Sequence, residues 1–183
     1  MEDGLGSNKG TEMAWQRWQV RVMTHEEALE VARWRYPSPY DFYNWDNDPE
    51  DLQELLEPPE GVTYWTVSDQ ASTMVGFLEF QFKEGRLHLG LGMRPDLTGK
   101  GLGLSLVARA LRLAEDEWGV QSVDLLVAEF NVRAITVYRR AGFTVIGSRL
   151  VDTNGASFRF VAMRWTDTDN EHSKPAPHLG AGR

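Results

Sequence analysis

The stretch Leu89-Gly-Leu-Gly-Met-Arg-Pro-Asp-Leu-Thr-Gly-Lys-Gly-Leu-Gly103 decides the architecture, because the sequence changes its period there. Arg86 to Met93 reads as a strand; after Pro95, apolar residues recur every three to four positions. Leu104, Val107, Leu111, Ala114 and Trp118 share one face of a helix from Leu102 to Trp118. Ser105, Arg109, Arg112 and Asp116 take the other, and Gly119 ends it. The turn between strand and helix carries Gly99, Gly101 and Gly103, so it bares main-chain N–H groups at a positive helix end and suits a phosphate. A tight connection without a ligand would use the same glycines. Two phosphate motifs fail on spacing. Gly92 lies too far from the Gly99-Lys100 pair for a Walker loop, Lys100 is followed by Gly101 instead of Ser or Thr, and Gly99-x-Gly101-x-Gly103 has the wrong interval for a dinucleotide fingerprint.

Outward from this turn the elements alternate in type. Arg17 to Met23 sets Trp18, Val20 and Val22 against Arg17, Gln19 and Arg21, the period of a half-buried strand. Thr24 and Glu27 form a capping box that opens a helix from His25 to Trp34. Asp48 to Glu57 reads as a second short helix, closed by Pro58-Pro59. Val62 to Ser68 and Met74 to Phe82 are strands that precede Arg86 to Met93. After Gly119 come a strand from Ser122 to Val127, a helix from Val132 to Ala141, and strands near Phe143 to Leu150 and Ala156 to Trp165. The order implies an α+β fold with a mixed, mostly antiparallel central sheet flanked by helices. Residues 15–166 read as one domain, and residues 1–14 and 167–183 as disordered tails with little to bury.

Composition narrows the function. The chain has 183 residues, 42% of them hydrophobic, which supports a single core of ordinary globular character. A net charge of -8 would repel a phosphate backbone, so nucleic acid is not an expected partner. The absence of cysteine removes disulfides, cysteine nucleophiles and thiolate metal sites. No metal is expected. No apolar run is long enough for a membrane helix and the N-terminus lacks the pattern of a signal peptide, so the expectation is a soluble cytoplasmic protein.

A second segment gives the glycine turn its meaning. In Asn131-Val-Arg-Ala-Ile-Thr-Val-Tyr138-Arg-Arg-Ala-Gly-Phe143, Asn131 caps a helix, Tyr138 lies two turns along on the same face, and Gly142 ends it before a strand. The pair P-D-L-T-G-K-G-L-G and N-x-x-A-x-x-x-Y-x-x-x-G-F, about thirty residues apart, resembles the GNAT N-acetyltransferase superfamily, closest in pattern to its RimJ/RimL-like members. The resemblance covers roughly residues 15–166 and includes the element order.

The resemblance implies acetyl-CoA as co-substrate and an amine of a small molecule or peptide as acceptor, and it leaves room for a homodimer. It places the pyrophosphate on Gly99, Lys100, Gly101, Leu102, Gly103 and Leu104. The pantetheine arm would lie along a bulged strand at Leu91, Gly92 and Met93, with a further contact from Asn131. Glycine within a strand at Gly90 and Gly92 independently marks a bulge or a close backbone approach. Tyr138 takes the position that protonates the departing thiolate, and the Met93 N–H that of an oxyanion donor. Two departures stand out. Thr98 replaces the family's usual Arg or Gln, and Leu126 stands where the family often has a glutamate base. The amine must still lose a proton, so Glu79 and His88 on neighbouring strands are candidate bases, with Glu129 a third. The loop Trp34-Arg-Tyr36-Pro-Ser-Pro-Tyr40-Asp-Phe42-Tyr43-Asn-Trp45 borders the acceptor site in such proteins. Tyr36, Tyr40 and Tyr43 are therefore candidate substrate contacts, with Asp41, Asp46 and Asp48 as attraction for a cation. The competing reading is a binding module of the same fold that keeps the CoA site without efficient catalysis.

Overall fold

The computed structural model describes residues 17–167, so both proposed tails, Asp167 apart, lie outside the described residues. The elements are β1 (Gln19–Val22), α1 (His25–Ala32), α2 (Pro49–Leu56), β2 (Val62–Ser68), β3 (Met74–Lys83), β4 (Arg86–Met93), α3 (Gly103–Trp118), β5 (Ser122–Ala128), α4 (Val132–Arg140), β6 (Thr144–Thr153) and β7 (Ala156–Thr166). Short 3₁₀ turns at Tyr40–Tyr43, Trp45–Asn47 and Pro95–Leu97 lie in the connections. Local chemistry sets several boundaries. The Thr24 hydroxyl accepts from the Glu27 N–H while the Glu27 carboxylate accepts from the Thr24 N–H, so α1 starts on a complete capping box. Asp48 caps α2, and Gly119 at φ +61 ends α3.

The strands form one sheet in the order β1-β2-β3-β4-β5-β7-β6, in which β4 and β5 are the parallel pair. This is the mixed, mostly antiparallel α+β sheet that the sequence implied. Helices α3 and α4 cover one face, packing Leu106, Val107, Ala110, Ile135 and Tyr138 onto Leu78, Phe80, Leu87, Leu89, Val123, Leu125 and Met163. On the other face α1 and α2 bring Ala28, Val31, Trp34 and Leu55 against Val62, Tyr64 and Phe77. Among the described residues, no helix is long and apolar enough to cross a membrane.

Two expectations need correction. Val22 was placed on the buried side of β1 but is 56% exposed, at the end of a four-residue edge strand where cover is thinnest. Ser105 was placed on the solvent face of α3 and is buried, whereas Leu104 and Leu111 are half-buried. The helix packs against α4 as well as the sheet, which turns its buried arc toward Ser105, Leu106, Ala110 and Leu113.

The pairing of β4 determines what the sheet can bind. β3 and β4 join through Glu84-Gly85, both at positive φ as in a two-residue hairpin, and the Arg94 N–H donates to the Val75 carbonyl at 3.0 Å. Antiparallel alternation then turns the peptide groups of His88, Gly90 and Gly92 toward β3 and those of Leu87, Leu89, Leu91 and Met93 toward β5. Yet β4 pairs with β5 only at Leu87 opposite Val123 and His88 opposite Asp124. Past that joint the strands run on unpaired. The Leu91 and Met93 peptide groups have no strand partner on that side.

Beside the joint, Asp124 is 6% exposed and accepts two bonds from the Arg164 guanidinium of β7, at 2.6 and 2.7 Å. The Arg164 bonds hold the Asp124 carboxyl below its usual range. Arg164→Ala should therefore lower unfolding free energy, because it leaves the Asp124 carboxylate without the guanidinium that pairs with it. A lowered carboxyl pKa stabilises fully above the unfolded value near about 3.9, and that contribution fades as pH falls through the lowered value. Urea unfolding of both proteins across this range should show the gap between them narrowing as pH drops below about 4. A gap that ignores pH would mean that the pair is not an ionic one.

Candidate active site

The opened side of β4 is the centre of the site. Its glycines do not form the expected bulge: the β3–β4 register runs unbroken from Lys83 opposite Arg86 to Gly76 opposite Met93. The register breaks lie elsewhere, at Val67/Ser68 and Val145/Gly147. The glycines have a different physical reason. A Cβ at Gly92 would overlap the Phe77 ring, and one at Gly90 would stand 2.8 Å from a Glu79 carboxylate oxygen. Bare backbone lets both β3 side chains lie across β4.

The chain then passes through Pro95–Leu97 into the glycine turn. Gly99 and Gly101 have φ +75 and +78, with open space where a Cβ would be, so their glycines serve backbone conformation. Gly103 differs: a Cβ there would meet Val137 at 3.3 Å, so it serves the close approach of α3 to α4. Helix α3 starts at Leu102 with no side-chain cap and no acidic residue in its first turn. Its positive end is thus available to an anion, with the exposed Lys100 at the rim. Thr98 turns away from that role, since its hydroxyl donates to the Pro95 carbonyl at 2.8 Å.

Across the opening stand Asn131 and Tyr138. The Asn131 side-chain oxygen accepts from the Ala134 N–H at 3.1 Å, which makes it the N-cap of α4. Its amide donates to the Tyr43 hydroxyl at 3.2 Å. Tyr138 is buried against Phe143, with ring centres 5.7 Å apart, and burial first and the neighbouring Tyr43 second push its phenol pKa upward. The aromatic loop reaches the same place. The Tyr36 hydroxyl donates to the Met93 carbonyl at 2.9 Å, and the Arg133 guanidinium lies 4.1 Å from the centre of the Tyr40 ring. Tyr36 thus reaches β4 at Met93, Tyr43 reaches the cap of α4, and Tyr40 lies against Arg133 on α4.

Four supporting residues stand at positions that neither motif specifies. Asn44 accepts from the Tyr36 N–H at 2.9 Å and Asn154 donates to the Phe42 carbonyl at 2.9 Å; these are contacts across folded distance. Arg133 and Tyr64 are the others. Arg133 stands two residues past Asn131, where its place beside the helix cap could have flagged it.

The candidate bases separate by position. Glu79 lies opposite Gly90 with its carboxylate over the glycine, and burial raises its pKa, with Glu54 and Asp51 adding to the rise while Lys83 and Tyr64 oppose it. His88 lies two residues farther from Met93, opposite Asp124 at the closed joint, and burial lowers its pKa. Glu129 is exposed just past β5, and Leu126 is half-buried on β5.

Residues 23–143 match the model of the Acetyltransferase (GNAT) family. Peptidyl-lysine N-acetyltransferase YjaB of Salmonella typhimurium is 32% identical over 144 residues, covering 76% of this chain and 92% of that protein. A mycothiol acetyltransferase of Propionibacterium freudenreichii is 33% identical over 120 residues, covering 63% of this chain; the match spans about a third of that relative's length, 32%. The fold matches the crystal structure of spermidine N-acetyltransferase from Vibrio cholerae in complex with CoA and spermine, with TM-score 0.66 and 18% identity over 83% of this chain and 96% of that one.

Gly101→Val places a branched side chain at φ +78 on the rim of the turn, so it should weaken acetyl-CoA binding by at least about tenfold. Titration calorimetry on a variant with native circular dichroism checks this. Unchanged affinity would mean that the turn is a connection and nothing more.

Proposed function

The chain belongs to the acetyltransferase (GNAT) family, and from that premise we propose that it is an acetyl-CoA-dependent N-acetyltransferase. It acts on a primary amine of a small molecule or peptide by direct attack in a ternary complex. One observation carries the reading: the Leu91 and Met93 peptide groups lack a strand partner on the β5 side, and beyond them the chain turns through Pro95–Leu97 into an uncapped helix start. An extended amide-bearing arm followed by a pyrophosphate fits that sequence of donors and acceptors. The cofactor supplies an activated thioester acetyl group.

The chain's own groups do the rest. The Met93 N–H is the donor that faces charge developing on the carbonyl oxygen, and the first turn of α3 with Lys100 holds the phosphates. The amine nitrogen bonds to the acetyl carbon as the carbon–sulfur bond breaks. The amine proton leaves toward Glu79, and the Tyr138 hydroxyl gives its proton to sulfur. Burial keeps Tyr138 protonated, the state an acid requires. Gly90 stands three residues from Met93, roughly 10 Å at strand spacing, so Glu79 takes its proton through water; His88, roughly 17 Å away, is too distant to share that role. Acidic Glu79, Glu54 and Asp51 favour a cationic acceptor. Spermidine and peptidyl-lysine, after which the similar proteins are named, are amines of this type. The binding-module alternative draws on Leu126 and on the tied Thr98 hydroxyl. Release of CoA thiol with a panel of polyamines, amino acids and lysine peptides decides between them: turnover with any amine supports the enzyme, and tight acetyl-CoA binding without release from any of them supports the module.

Tyr138→Phe preserves the ring and should leave acetyl-CoA affinity and stability nearly intact. The single-turnover rate at saturating acceptor should fall by roughly ten- to ten-thousand-fold. A wild-type rate would return Tyr138 to a packing role.

Because Glu79 must be deprotonated to act and burial raises its pKa, kcat/KM should climb with pH along an acid limb above the ordinary carboxylate value of about 4.3. Glu79→Gln should lower kcat/KM and remove that limb. A limb that survives the substitution would assign the base elsewhere.

A further inference from the structure

The sheet changes chemical character across the opened joint. Val123, Leu125 and Val127 of β5 pack beneath α3 and α4, so Leu126 faces the other side of the sheet, the side on which Phe77 and Glu79 of β3 lie. Counting on from the pair His88 and Asp124 sets Gly90 and Leu126 at one level, on either side of the joint. Leu126 in turn lies opposite Ala162 of β7. On the β3 side of this row the Glu79 carboxylate stands over Gly90, with Glu54 and Asp51 of α2 close enough to act on it. On the β5 side the row holds Leu126 and Ala162, both half-buried, and neither belongs to the layer beneath α1 and α2. The carboxylate next along β5 on this face, Asp124, has both oxygens bonded to Arg164. In the other direction Phe160, opposite Ala128, lies 6.2 Å from Phe42 between ring centres, which continues the apolar surface into the aromatic loop.

We propose that Leu126 determines the class of acceptor: an amine with a single cationic nitrogen on an apolar stem, the nitrogen on the Glu79 side of the joint and the stem on Leu126 and Ala162. This rests on the opened joint as the place of transfer. Charge complementarity selects the occupant. One ammonium answers the carboxylates on the β3 side, but a second, carried along the stem, comes to rest on Leu126 with no free carboxylate in that row. Taking such an ion out of water without a partner is costly, whereas a methyl group at the same place gains by leaving water. Of the two amines named above, the lysine side chain fits this division and spermidine does not.

Hexylamine and 1,5-diaminopentane test the division, since they have the same length and differ only in a terminal methyl in place of an ammonium. With CoA instead of acetyl-CoA there is no acetyl group to transfer, so titration calorimetry on the full chain reads acceptor binding without turnover. Hexylamine should bind the CoA-loaded protein at least about tenfold more tightly than the diamine, and its kcat/KM with acetyl-CoA should exceed the diamine's by a similar factor. Leu126→Glu sets a carboxylate beneath the far end of the stem and should narrow or reverse both ratios in a variant with native circular dichroism. Leu126→Gln, neutral and of similar size, should narrow them without reversal. Each ratio cancels any effect common to the two amines. Equal binding by the wild type, tighter binding of the diamine, no binding of hexylamine, or a preference that neither variant alters overturns the proposal. Absence of thiol release from both amines counts against the enzyme reading instead, and the binding ratio still decides the role of Leu126.

Discussion

The structure depends on hydrogen bonds that the sheet leaves unmade. β4 and β5 pair at two positions and then run on without pairing, so the peptide groups of Leu91 and Met93 lack the strand partner that a closed sheet would give them. Leu91 and Met93 are half-buried, so a peptide group without a strand partner there is left to solvent, to a side chain or to a ligand. Met93 shows one answer, since its carbonyl accepts from the Tyr36 hydroxyl. The proposed acetyl-CoA arm would be the other, an extended ligand that completes the sheet as a short additional strand.

Everything around the opening follows from holding it in place. Asp124 and Arg164 fix the closed end of the joint, and the buried layer beneath α3 and α4 fixes both strands. Gly90 and Gly92 keep the neighbouring face shallow, so Glu79 and Phe77 lie over the backbone. At the far end β4 delivers the chain to a helix that starts without a cap. The aromatic loop frames the opening through single polar contacts, Tyr36 to Met93 and Tyr43 to Asn131, backed by edge-on contacts of Phe42 with Phe130 and Phe158. Few of those contacts are interchangeable. Each places one hydroxyl or amide.

The sequence was most informative where physics is local. The Thr24–Glu27 box, the Asn131 cap, the Gly119 stop and the change of period after Pro95 all act within a few residues, and the structure contains each of them. The α+β sheet followed from the order of elements, and the two motifs led to the family. What could not be read depends on distant neighbours. Ser105 is buried because α4 packs beside α3, and the strand glycines face Phe77 and Glu79 across a hairpin instead of forming a bulge. Arg133 over Tyr40 and Asn154 beneath Phe42 join segments that only the fold brings together. Leu126 was legible as a missing carboxylate, but only the register of β3 on β4 sets Glu79 opposite Gly90.

The central claim is that the opened joint of β4 and β5 receives the cofactor arm through the Leu91 and Met93 peptide groups. Residue-resolved amide hydrogen exchange with and without saturating acetyl-CoA tests it most directly. The account predicts that the Leu91 and Met93 amides exchange readily in the free protein and slow markedly on binding, while Gly90 and Gly92, already bonded to β3, change little. Saturating acetyl-CoA binding that leaves Leu91 and Met93 unprotected would contradict it.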